Sequence, residues 1–117
     1  MNPVTGLALG RLAIGSVALA SPATATRLFR LDSSDNPQLP YLTRLFGSRE
    51  IVLGAATLAT RGATRRNLVL AGVAVDAADA AAGVLAGREG SVSKATSGFL
   101  TAPAVGAVLA GLAGLRG

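Results

Sequence analysis

Residues 67–87, NLVLAGVAVDAADAAAGVLAG, decide how this chain folds. The stretch contains no Lys or Arg, yet Asp76 and Asp79 stand in its middle. As an α-helix it would be roughly 31 Å long, enough to cross the hydrocarbon core of a bilayer. The two acids are three residues apart and share one face. Gly72, Ala80, Gly83 and Gly87 extend that face with small side chains. Lipid penalises such a stripe, whereas a neighbouring helix accepts it. The rest of the chain should supply the neighbours. The expectation is an all-α fold, a four-helix transmembrane bundle in a single domain over residues 1–117, with spans at about 4–20, 40–60, 67–87 and 95–115.

Just upstream, Thr64 is placed to cap the central helix, with Arg65 and Arg66 at its entrance. The connection from residues 40–60 is so short that the two helices must be antiparallel neighbours. Pro40 suits a first helical turn, and Tyr41 is a residue type that favours the membrane interface. Arg44 is one turn in and can reach outward along its aliphatic stem. Arg49 and Glu50 lie near the middle and cannot both do so. Gly47, Glu50 and Gly54 form a second small–acidic–small face.

Downstream, residues 88–91 (REGS) read as a tight turn, with Ser91 or Ser93 capping the helix over 95–115. There Ala102, Gly106, Ala110 and Gly114 recur every fourth residue, a seam for close helix packing. Pro103 falls inside this run. It should bend the helix and free the Phe99 carbonyl.

The first apolar run, residues 4–20, is broken by Arg11 and carries the small-residue pair Gly6 and Gly10, with Gly15 beyond. A secretory signal peptide competes with a spanning helix here, because Ala23-Thr24-Ala25 resembles a cleavage site. No basic residue precedes the run and Arg11 interrupts it, so the spanning helix is preferred. Pro22 marks its end. The polar connection that follows alternates Arg27 and Arg30 with Leu28, Phe29 and Leu31, as a short interfacial helix would. Asp32, Asp35 and Pro37 then read as a solvated turn. Thr26-Arg27-Leu28-Phe29 recurs as Thr43-Arg44-Leu45-Phe46. The residues after each copy do not repeat, so this reads as chance in a biased composition.

The totals agree with lipid better than with water. Only 15% of residues are charged, against about 25% in soluble domains. Fifteen glycines and 3% aromatics make a poor aqueous core, since Ala and Gly bury little area. A small Ala-rich soluble helical domain is the alternative fold. The net charge is +5, but the basic residues are scattered and few aromatics could stack on bases, so nucleic acid is not an expected partner. Without His or Cys, disulfides, Cys/His metal sites and imidazole or thiol catalysis are excluded.

Arg11, Arg49, Glu50, Asp76 and Asp79 all fall inside the expected spans. With Arg44 included, three cations face three acids. An isolated charge there is costly, and arginine suits pairing because it stays charged and grips a carboxylate with two donors. The expectation is a buried inter-helix network, with the pairing left open by the sequence. No metal is expected, since Asp-x-x-Asp is a weak ligand motif beside competing arginines. Residues 6–10 lack the Lys and Ser/Thr of a phosphate loop, and no nucleophile–base pair is visible, so neither a cofactor nor an enzyme is expected. Gly6, Gly10, Gly54, Gly72, Gly83, Gly106 and Gly114 are the expected helix-packing positions.

The segment Arg44-Leu45-Phe46-Gly47-Ser48-Arg49-Glu50 leading into residues 51–54, together with Asp76-Ala77-Ala78-Asp79, resembles small Ala/Gly/Arg-rich four-helix membrane proteins of actinobacterial type that are grouped under domains of unknown function. The resemblance implies an integral membrane bundle and supplies no activity. The functional expectation is a structural or accessory, multi-pass cell-membrane protein whose partners are the lipid bilayer and either further copies of itself or a larger membrane protein. The alternative is a minimal transporter or small-ligand or ion-binding bundle that uses the acidic cluster. Arg61, Arg65 and Arg66 in one short loop favour cytoplasmic termini.

Overall fold

The computed structural model describes residues 2–32 and 36–116; Asp35 lies outside them. Among the described residues there is no strand. Five helices follow one another: α1 Pro3–Ala20, α2 Pro22–Leu28, α3 Leu39–Ala59, α4 Gly62–Glu89 and α5 Lys94–Arg116.

Local chemistry sets the ends. The Asn2 side chain accepts the Val4 N–H at 2.8 Å, and Pro3 sits at the first turn of α1. At the end of α2 the Arg30 N–H bonds the Arg27 carbonyl and the Leu31 N–H bonds the Thr26 carbonyl. That double closure puts Arg30 in the left-handed region, φ 60°, at a position where glycine is usual. Its carbonyl accepts the Thr96 hydroxyl at 2.7 Å, and its guanidinium lies 4.9 Å from the centre of the Phe99 ring. The strained residue thus ties α2 to the start of α5. Helix α4 starts at Gly62 after an extended Arg61, so Thr64 lies within the first turn and is not the cap. Ser93 caps α5 by accepting the Thr96 N–H at 3.1 Å.

Helices α1, α4 and α5 are long and apolar enough to cross a membrane. The expectation of four such helices is not met, because α3 carries Arg44, Arg49 and Glu50 within its 21 residues. The long connection holds a short helix, as expected, but at Pro22–Leu28, beginning before Arg27. Helix α5 continues through Pro103.

The four long helices alternate in direction and close a ring. Helix α1 packs along α3, and α4 along α5. The contacts that join these two hairpins, α1 with α5 and α3 with α4, are sparser. Glycine explains the tight pairs. A Cβ on Gly15 would lie 2.7 Å from the Gly47 carbonyl oxygen, and one on Gly47 would lie 2.7 Å from that of Gly15. Gly54 faces the Ala8 backbone and Gly83 faces Thr101 within the two hairpins, and Gly114 faces Val4 between them. Gly10 and Gly106 meet nothing within 4 Å of a built Cβ; they line a cavity, as does Gly6.

The interior holds small residues such as Ala8, Ala18 and Ala25 with polar Thr26 and Thr57, while Leu9, Val52, Leu70 and Leu109 are exposed. This is the reverse of an aqueous core, where large apolar side chains go inside.

Gly15→Ala should lower stability by about 1–3 kcal/mol, because its methyl group meets backbone, whereas Gly10→Ala should be close to neutral. Thermal melts of both variants in detergent, followed by circular dichroism, check this.

Candidate functional site: a buried chain of alternating charges

Arg11 comes from the middle of α1, Arg49 and Glu50 from α3, and Asp76 and Asp79 from successive turns of α4. The structure brings all five together. Arg11 Nη1 donates to Glu50 Oε2 at 2.8 Å and to Asp76 Oδ1 at 3.1 Å, while Nη2 donates to Asp76 Oδ2 at 2.6 Å. Arg49 Nη2 donates to Glu50 Oε1 at 3.0 Å and Asp79 Oδ2 at 2.6 Å, and Nη1 to Asp79 Oδ1 at 3.3 Å. The order is Asp76–Arg11–Glu50–Arg49–Asp79. Charges alternate along it, both ends are acidic, and Glu50 is shared between the two guanidiniums. Each of the six carboxylate oxygens accepts a guanidinium N–H.

Backbone shape makes room for this. A Cβ on Gly72 would lie 2.7 Å from Arg11 Nη2, so glycine on α4 opens the space through which the α1 guanidinium reaches Asp76. Arg49 lies over the Phe46 ring at 5.2 Å from its centre, one turn away on the same helix. The two ends of the chain differ in exposure. The Asp76 side chain is 5% exposed and that of Asp79 is 34% exposed.

Arg44 is not a member. It is exposed and donates through Nε to the Leu19 carbonyl at 3.3 Å, at the far end of α1. The expected balance of three cations against three acids is therefore corrected to two against three. If all three acids are ionised, the network carries one surplus negative charge.

Oxygen atoms of Glu50, Asp76 and Asp79 lie within 4.8 Å of one another, a spacing open to a metal ion. Arginine occupies every one of those oxygens, so an ion would have to displace guanidinium donors to bind.

Beside the network lies a cavity of about 970 Å³ between the two hairpins. Arg11, Glu50, Asp76 and Asp79 stand in its wall, which apart from Thr26 and Thr43 is otherwise apolar, and Phe29 and Phe46 line it toward α2. These rings meet edge to face, with centroids 6.2 Å apart. They are the last residues of the two Thr-Arg-Leu-Phe copies, a recurrence that the sequence alone offers no reason to read as more than chance. Neither the cavity nor the Gly15–Gly47 contact was visible there as a pairing.

Comparison with protein-family models, with curated proteins and with solved structures finds no match to this chain.

Asp76→Asn should destabilise the protein by about 1–3 kcal/mol, because it leaves Arg11 short of a charged acceptor in a buried site. Asp79→Asn should cost less, since that carboxylate is only partly buried. Melting curves of the two variants in one detergent give the order; a larger loss for Asp79→Asn would contradict it.

Proposed function

We propose that this is a structural or accessory integral membrane protein, in which the Arg/Asp/Glu network clamps two helical hairpins together inside the bilayer. The observation that carries the reading is the distribution of side chains. Large apolar residues point outward on every long helix, and the charges at mid-height point inward. In water such an exterior would be a wide adhesive surface; in lipid it is the solvated face. The inward charges follow the rule for ionisable groups at membrane depth, which pair with one another.

On this reading α3 spans the bilayer with α1, α4 and α5, although its composition alone would not select it. Helices α1 and α4 supply Arg11 and Asp79 as partners, so the cost of Arg49 and Glu50 falls on the folded bundle and not on a lone helix. Helix α2 lies at the interface. The likeness to small actinobacterial-type membrane proteins belongs to the same proposal.

A second reading, a small-ligand-binding membrane bundle, is favoured by one observation. The cavity beside the network is lined by residues from all four long helices.

The expected behaviour is recovery in the membrane pellet and release only by detergent; a protein left in the supernatant of a high-speed spin without detergent would refute the membrane reading. Four spans put both termini on one side. A phosphatase reporter that works only outside the cytoplasm should stay silent at either end, with activity at just one end refuting the even number of spans and activity at both ends refuting cytoplasmic termini.

A further inference from the structure

The charge count and the cavity bear on each other. Two guanidiniums face three carboxylates, and at mid-bilayer depth a surplus charge is neutralised either by a proton or by a cation. The three carboxylates border a space of about 970 Å³, at the upper end of the range for small-molecule sites.

We propose that this cavity binds a bulky apolar monocation without hydrogen-bond donors, of the quaternary ammonium or phosphonium class. The inference rests on the ligand-binding reading of the membrane bundle. Three features select this chemistry. The wall is apolar apart from the network and Thr side chains, so the ligand is apolar in its bulk. All six carboxylate oxygens already accept guanidinium N–H groups, so the acids offer negative potential more than free hydrogen-bonding positions. A cation with a buried, alkylated or arylated centre needs only that potential. Phe29 and Phe46 supply ring faces and edges at the same wall, and aromatic faces attract cations of this kind.

The charged groups around the cavity are Arg11 from α1, Arg49 and Glu50 from α3, and Asp76 and Asp79 from α4. Helices α2 and α5 contribute only uncharged residues to the wall. No second cation on those helices therefore cancels the surplus. A dianionic or metal ligand is disfavoured, the first by charge and the second by the arginines already in place.

The test uses the whole chain in a non-ionic detergent, with tetraphenylphosphonium as probe and tetraphenylborate as the control of the same shape and opposite charge. Equilibrium dialysis against empty micelles should show saturable, one-to-one binding of the phosphonium and at least about tenfold weaker binding of the borate. Asp79→Asn leaves two cations against two acids and should weaken phosphonium binding by about tenfold or more. Gly10→Leu fills the cavity from a position with free space and leaves the charges alone; it should weaken binding to a similar extent. Equal binding of both ions, undiminished binding in Gly10→Leu, or no saturable phosphonium binding would each overturn the inference. If Asp79→Asn loses its helical signal, Gly10→Leu and the borate control still decide. A protein that binds neither ion yet remains helical and detergent-dependent leaves the membrane bundle standing, whereas one that is soluble without detergent sinks that reading whatever it binds.

Discussion

The guanidinium of Arg11, held between Glu50 and Asp76, is the interaction on which the rest of this structure depends. Like Arg49 it touches an acid on each hairpin, but it is the buried one of the two, its side chain 7% exposed against 36% for Arg49. The other contacts between the hairpins are sparse; they include Arg49 with Asp79, the Arg65 Nε donation to the Thr57 carbonyl at 2.9 Å, and Gly114 against Val4. A buried ion pair is not stabilising by default, because desolvating both partners can exceed their attraction. What it does reliably is penalise every arrangement in which one partner is left alone. In this chain that penalty fixes the rotation of α4 about its axis: Gly72 and Asp76 must face α1, and Asp79 must then face Arg49.

Small residues and charges play complementary parts. Gly15 against Gly47, and Gly54 against the Ala8 backbone, let α1 and α3 approach until backbone meets backbone. Helices that close bury little side-chain area, so dispersion between backbones replaces a core of large residues. Between the hairpins the same economy leaves a cavity, because Gly10 and Gly106 have no partner side chains across from them. The result is two tight halves, one ionic clamp and an apolar space beside it.

Much of this was legible in the sequence, for physical reasons that can be named. Charged residues inside apolar runs must meet something, so Arg11, Arg49, Glu50, Asp76 and Asp79 announced a cluster before any geometry was known. Apolar runs bounded by Pro, Gly and Arg marked the long helices. The pairing was not legible, since it depends on the rotation of each helix and on room at Gly72. Nor was the exclusion of Arg44, whose long stem can reach either way; it donates to the Leu19 carbonyl, at the end of α1. Helix α3, expected as a span, is too charged to stand with the three apolar helices by composition; its Arg49 and Glu50 pair with each other and with Arg11 and Asp79 of neighbouring helices. The cavity depends on what fails to fill a space, which no periodicity records.

The central claim is that Arg11 and Asp76 are energetically coupled across the two hairpins. A double-mutant cycle with Arg11→Met, Asp76→Asn and the combined variant, melted in one detergent, measures that coupling directly. The double variant should be more stable than the sum of the two single losses implies, by about 1 kcal/mol or more. Additive losses, with a coupling near zero, would contradict the clamp and leave the close approach of the two side chains without consequence for the fold.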